Sequence, residues 1–361
     1  RLLTQARVHL LYAAQALVPL PRLFGFLHDD LAVSRGLLSP PSTLAGALAL
    51  AAALFAAVRL RRRAPLVALG LLWFLLGHAL EGNVLPLELM FEHRNYLPSA
   101  GLLLAGAAAL GAAGAARGTL AGIALAVAAI FAASTWSLAT QWRSEASLFA
   151  SVLRLHPDSP WARGLAADWL SRQGAAAEAL AVLGEVDGAA ARLHRLAIEC
   201  RAGRPFDAGR LADFRASLDG PFDGYTGPLV TGIAGLVLDR ACAADREAFL
   251  AALDVAFERP FLNRQSEFRL HMARARLRRE AGRAEEAIAD LEAAAALRPR
   301  DPMPLLVAAE YLADDGHGAR ADATLDRARA LAAAAAWHYG AVLAGAQDAV
   351  HGHAGATGEQ A

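Results

Sequence analysis

The stretch GRAEEAIADLEAAAAL (Gly282–Leu297) is echoed 34 residues later by GHGARADATLDRARAL (Gly316–Leu331). The step aligns Gly282, Ala287, Leu291 and Ala294 with Gly316, Ala321, Leu325 and Ala328. Small residues recur where two helices must approach closely, and glycine stands where the chain must turn between them. A fixed period of this length marks a helix-turn-helix repeat, a unit that buries its apolar face only by stacking on a neighbour.

Working outward, the best-matched adjacent units are Glu267–Arg300 and Pro302–Ala335, with Pro299 closing the first. Further upstream, Pro157 ends a helix begun near Ser144, and Trp161, Gly174, Ala179 and Leu183 follow in register. A shifted copy puts Gly203 at the turn and Ala208 at the small-residue position. The Asp219–Arg264 stretch keeps paired helices, near Leu229–Ala241 and Asp245–Phe257, but loses the period. The period is that of tetratricopeptide (TPR) units, whose stacks wind into a superhelix with a concave protein-binding surface. Trp161, Trp169, Phe214, Tyr225 and Phe261 are either groove-lining or core, and burial statistics favour core. The polar, Gly-rich tail 351–361 reads as disordered, and His351 and His353 have no third ligand nearby.

Before residue 141 the composition changes. Residues 1–141 hold 10 Arg and 5 acidic residues, whereas 142–361 hold 25 Arg and 30 acidic residues. The overall neutrality therefore hides a basic half and an acidic half, neither with the footprint of a nucleic-acid binder. There is no Lys, which reads as compositional bias. Apolar runs occupy Ser42–Val58, Ala64–Leu80, Ser99–Ala116 and Thr119–Thr140, each near the ~17–25 residues that cross a bilayer. Val8–Leu27 is broken by Pro19, Pro21 and Arg22 and is either a fifth span or an interfacial helix. The Ala- and Gly-rich run Ala105–Gly114 suits close helix packing in lipid.

The expected class is all-α, a transmembrane bundle followed by a TPR-like α-solenoid. The expected division is 1–41 membrane-associated helix and outer loop, 42–140 four transmembrane helices, 141–350 repeats, and 351–361 tail. Arg59, Arg61, Arg62 and Arg63 form the densest short basic loop, and such loops stay cytoplasmic. That places the repeats outside the cytoplasm, in a periplasm, on a multi-pass protein of the inner (cytoplasmic) membrane. The chain opens on Arg1 with no leader, which suggests the C-terminal part of a longer protein. Cys200 and Cys242 read as two small buried residues in helix interfaces more readily than as a bridge.

Three polar constellations fall on the outer side. Glu92, His93, Arg94 and Tyr96 sit directly before a span. There Arg94 suits a lipid phosphate and Glu92 or His93 suits acid–base work, although a plain interfacial belt with Glu92 paired to Arg94 explains the same residues. His28, Asp29 and Asp30 suit either a divalent cation or a helix cap. Trp142, Arg143 and Glu145 read as a hinge, with Ser144 as the N-cap of the next helix.

These residues also carry a resemblance. The Glu-His-Arg-Asn-Tyr-Leu-Pro-Ser core of Phe91–Gly101 resembles the Glu-x-Arg-x-Tyr-x-Pro-Ser segment of the transmembrane-and-TPR O-mannosyltransferase family. The run Trp142-Arg143-x-Glu145-x-x-Leu148-Phe149, ending at Pro157, is similar to that family's entry into its repeats. Arg1–Leu20 is similar to its segment before a late luminal loop. The resemblance implies a GT-C-type glycosyltransferase fold, a polyprenyl-phosphate-sugar donor, and repeats that receive an acceptor protein. That family's catalytic acid lies in its first outer loop; Asp29 and Asp30 occupy a different loop. The competing expectation is a non-enzymatic envelope scaffold. Membrane lipid and protein or peptide partners are expected; no cofactor, metal site or nucleic-acid partner is evident.

Overall fold

The computed structural model describes residues 1–25, 27–79, 88–219, 226–258 and 264–333. Among these residues the chain is all-α, with no strand and two isolated β-bridges, Gly36 with Ser39 and Phe206 with Ala244. It separates into two compact units, Arg1–Ala166 and Ala167–Ala361.

The first unit holds α1 (Leu2–Leu17), α2 (Ser42–Leu60), α3 (Pro65–Ala79), α4 (Tyr96–Ala112), α5 (Arg117–Gln141), α6 (Glu145–Leu155) and the start of α7 (Pro160–Arg172). Two of these, α2 with 19 residues and α5 with 25, are long and apolar enough to cross a membrane, and little of either is buried against the rest of the chain. The apolar runs expected as second and third spans appear as α3 and α4, of 15 and 17 residues.

α3 and α4 pack together. At their crossing Gly70 and Gly101 oppose each other so closely that a Cβ on either would collide with the other's carbonyl oxygen. Such backbone contact is how helices associate when apolar surface alone offers no driving force. Of the small residues read as packing positions, Ala105 is buried there, whereas Gly106, Gly111 and Gly114 face open space.

α1 ends before Pro19, as the prolines require. It packs on α2 and α4, and Val8 and Tyr12 join Phe74 and Met90 in the core of the unit. Its polar residues Thr4, Gln5, His9 and Gln15 are also buried.

The second unit is a run of short helices. After α7 come α8 (Ala176–Leu183), α9 (Ala189–Arg201), α10 (Ala208–Ser217), α11 (Thr226–Leu238), α12 (Arg246–Phe257), α13 (Arg264–Glu280), α14 (Ala284–Leu297), α15 (Met303–Asp314) and α16 (Gly318–Ala333). Every aligned position of the 34-residue step behaves as its spacing implies. Ala287, Leu291, Ala321, Leu325 and Ala328 are all fully buried in one cluster with Leu305 and Ala309. Ala294 is buried at the same level. Gly282 and Gly316 both turn at φ +77°, a conformation that penalises any Cβ.

Gly203 also turns at φ +77°, but Ala208 is exposed, contrary to expectation. The cause is a longer connection. Residues 202–207 separate α9 from α10, where 281–283 suffice between α13 and α14. Asp207 caps α10 by accepting from the Arg210 N–H at 3.0 Å, so Ala208 falls at the open first turn. The extra length lets Phe206 turn inward against Phe214 and Phe249, with ring centroids 5.9 and 5.5 Å away. Phe214 is thus core, not groove. Trp161 and Trp169 are half-buried, and Tyr225 and Phe261 lie outside the described residues, as does the 351–361 tail with His351 and His353.

The cysteine expectation is corrected outright. Cys200 and Cys242 form a disulfide with Cα atoms 4.9 Å apart, inside the reach such a bridge needs. Both are buried in the α9–α13 core, Cys200 on α9 and Cys242 in the connection that follows α11. The neighbouring backbone bond from Phe206 N–H to the Ala243 carbonyl, 2.7 Å, brings that connection back beside α9.

One ionic network is also interior. The Asp290 carboxylate, 2 % exposed, accepts from His271, Arg274 and Arg278. Burial alone would raise this carboxyl, but the His271 and Arg274 hydrogen bonds and the Arg274 and Arg278 charges hold it below its usual range. Buried charge is tolerated when paired in this way.

Candidate functional site

The site is built on residues 88–96, a segment that α1 holds in place. Gln5 Nε2 donates to the Leu89 carbonyl at 2.9 Å. The Tyr12 hydroxyl donates to the Phe91 carbonyl and accepts from the Phe91 N–H, each at 2.9 Å. Asn95 Nδ2 donates to the Tyr12 carbonyl at 2.9 Å. Gln15 Nε2 donates to the Leu23 carbonyl at 2.8 Å and reaches Glu92 Oε1 at 3.4 Å. These bonds to the inner face of α1 fix the short 3₁₀ turn Glu92–Asn95 before α4 begins.

That anchoring aims Glu92 away from Arg94. Glu92 Oε1 accepts from the Gly25 N–H at 2.6 Å and pairs with His28 Nε2 at 3.1 Å. Arg94 instead donates to the Glu88 carbonyl at 2.6 Å and lies 4.9 Å over the Phe91 ring. The interfacial Glu92–Arg94 pair read from the sequence is therefore replaced by a Glu92–His28 pair.

A cavity of about 290 Å³ opens at this pair, lined by Phe24, Gly25, His28, Phe91, Glu92, His93, Leu138, Gln141, Trp142, Leu148, Val152 and Leu155. Its polar pole is Glu92, His28 and His93; α5 and α6 give its apolar walls. A second cavity, about 330 Å³, shares Phe24, Glu92 and His93 and runs past Gln15, Asn95, Tyr96, Ser99, Leu103 and Phe131. Arg94 lines neither, so the guanidinium expected to hold a phosphate is not at the pole.

The other members of the second constellation go elsewhere. Asp29 Oδ1 accepts from Ser159 Oγ at 2.5 Å, and Asp29 Oδ2 accepts from the Trp161 N–H at 3.2 Å. Asp30 Oδ2 pairs with His156 Nδ1 at 2.9 Å. His28, Asp29 and Asp30 thus diverge, and among the described residues no group of three or more His, Cys, Asp and Glu converges as a metal ion requires. The helix-cap alternative is the one realised, on the N-terminus of α7 rather than on a helix of their own loop.

The third constellation marks a short break. α5 ends at Gln141 with Trp142 as its C-cap, and Ser144 caps α6 reciprocally with Ser147 at 3.1 and 3.0 Å. Trp142 faces the cavity; Arg143 and Glu145 are exposed.

Glu92 and His93, His28, and Trp142 stand out in the sequence as members of three separate segments; the fold brings them to one cavity. Sequence reasoning missed Gln5, Tyr12, Gln15 and Asn95. A signal was present: Gln5, His9, Tyr12 and Gln15 recur every three to four residues along an otherwise apolar helix, which puts them on one face. The chain matches no protein-family profile, no curated protein and no solved structure.

Proposed function

We propose that this chain is a multi-pass membrane protein that serves sugar transfer from a polyprenyl-phosphate carrier to a protein hydroxyl, with Glu92 as the proton acceptor. One observation carries the reading. Three segments far apart in sequence, two read for acid–base or ion-binding chemistry and one as a hinge, line one cavity where α5 meets α6. α2 and α5 supply the membrane-spanning length, with α3 and α4 completing a GT-C-like bundle.

In the transfer, the acceptor O–H gives its proton to Glu92 while its oxygen bonds to the anomeric carbon. The carbon–oxygen bond to the phosphate breaks, and the carrier phosphate leaves with the electron pair. His28, donating to Glu92, holds the carboxylate in a fixed orientation. The hairpins after α6 act as a TPR-like solenoid that receives the acceptor protein, and the 34-residue step with its buried small residues supports this. The Cys200–Cys242 bridge supports an extracytoplasmic place for them, since such bridges persist in oxidising compartments.

A scaffold reading is favoured by a different observation. A cavity of about 730 Å³ beside α9 and α10 is lined by charged side chains, including Asp187, Arg192, Arg195 and Asp213. The two readings part in one experiment on the full-length protein in membranes supplied with a labelled polyprenyl-phosphate sugar. Transfer by the native protein and its loss in Glu92→Gln supports the enzyme. Transfer that Glu92→Gln leaves intact removes Glu92 from the chemistry, and no transfer with specific protein capture supports the scaffold.

A further inference from the structure

The loop from Gly25 to Asp30 does more than contribute His28. Its next two residues grip the turn between α6 and α7. Ser159 is fully buried and caps α7, its Oγ accepting from the Ala162 N–H at 2.9 Å, with Pro160 at the first helical position. Asp29 sits over that helix start, accepting hydrogen bonds from the Ser159 hydroxyl and the Trp161 N–H. A carboxylate there is favoured by the free N–H groups and the positive end of the helix dipole.

Asp30 takes His156, the residue that ends α6. The His156 ring then stands edge-on to His28 with centroids 5.3 Å apart. Gly25 completes the clasp: a Cβ there would overlap His156 Nε2, so the close approach requires glycine. The result is a continuous chain of contacts, Glu92 to His28 to His156 to Asp30. His28 and His156 side chains are left only 11 and 12 % exposed.

We infer that Asp29, Asp30 and His156 are positioning residues, a strap by which the α6–α7 turn holds His28 against Glu92. None of the three lines the cavity; they act through His28. The site is thereby complete only when the first turn beyond α6 is docked. The catalytic consequence rests on the transferase reading; the strap itself does not.

The test uses diethyl pyrocarbonate, which modifies accessible neutral imidazoles, on the full-length protein in detergent, with His28 and His156 followed by peptide mass spectrometry. In the native protein both should react slowly relative to the exposed His317. Asp29→Ala combined with Asp30→Ala should raise the reactivity of both about tenfold. The conservative pair Asp29→Asn with Asp30→Asn keeps acceptors at both positions and should restore protection. Unchanged protection in the alanine pair overturns the strap whether or not any sugar is transferred. Should the strap open and transfer be measurable, kcat is expected to fall with KM unchanged, and adding His28→Ala should lower it no further. Full activity with His28 and His156 exposed overturns the positioning role and leaves the transferase reading untouched.

Discussion

The imidazole of His28 and the carboxylate of Glu92 meet at 3.1 Å although 64 residues separate them. Glu92 is bonded on the same oxygen by the Gly25 N–H, so its direction is set by backbone as well as side chain. On the proposed transferase reading, Glu92→Gln in the full-length protein keeps the shape and removes the base. Transfer should fall about 100-fold or more, the ordinary contribution of a positioned base. Rates measured on equal amounts of membrane-inserted protein decide it, and a loss below about threefold would show that the proton goes elsewhere.

Reduction should loosen the second unit. Cys200 and Cys242 close a loop with a sequence separation of 42, for which the chain-entropy relation gives about 4 kcal/mol. Cys242→Ser, or a reducing agent, should lower the melting temperature and speed exchange in α9 and α11. Thiol alkylation before and after reduction should count two protected cysteines in native protein and none free.

Acid should weaken α9. Burial lowers His194 to about 4, outweighing the pull of Asp168, while Arg201 adds to the lowering. The folded state therefore keeps His194 neutral while the unfolded chain binds a proton below its usual value of about 6.5. The unfolded state binds more protons between those values, so stability is lost as pH falls from about 6.5 to about 4. The loss is at most roughly 3 kcal/mol at 1.36 kcal/mol per unit. Hydrogen exchange of α9 against pH should show this slope, and His194→Gln should flatten it.

Gly282→Ala and Leu291→Ala separate turn strain from packing. At Gly282 nothing lies within 4 Å of the added Cβ, so only the positive φ opposes it, at about 1–2 kcal/mol. Leu291 is fully buried, and its truncation should cost about 2–5 kcal/mol. Arg320→Ala, which removes an exposed fork to Glu285, should leave the melting temperature unchanged.

Gly101→Val should part α3 from α4, because any side chain there meets Gly70 across the crossing. Gly106→Val, facing open space, should be tolerated. Comparable yields of folded protein for both variants would show that the two helices do not cross at these glycines.

Much of the fold was legible locally. Periodicity placed the hairpins α13–α14 and α15–α16, because a repeated spacing of small and apolar residues is a property of the chain itself. Gly282 and Gly316 declared their turns for the same reason. Where the period lapses, the expected pair near 229–257 does not form, and α11 packs on α9 and α13 instead of α12. Ser144 declared its cap, since capping is settled within three residues. Ala208 misled because loop length, not composition, sets the register of α10, and three residues more between helices turned it outward.

The sequence by itself determined the helical class, the two hairpins of the 34-residue step and the residues with chemistry to offer, all of which rest on local spacing. Tertiary structure alone decided which of those residues meet: that Cys200 reaches Cys242, that Glu92 turns from Arg94 to His28, and that Asp29 caps a helix more than a hundred residues away. The physical reason is that carboxylates, imidazoles and thiols take whatever partner packing brings within about 3 Å for a hydrogen bond. No local pattern encodes that distance.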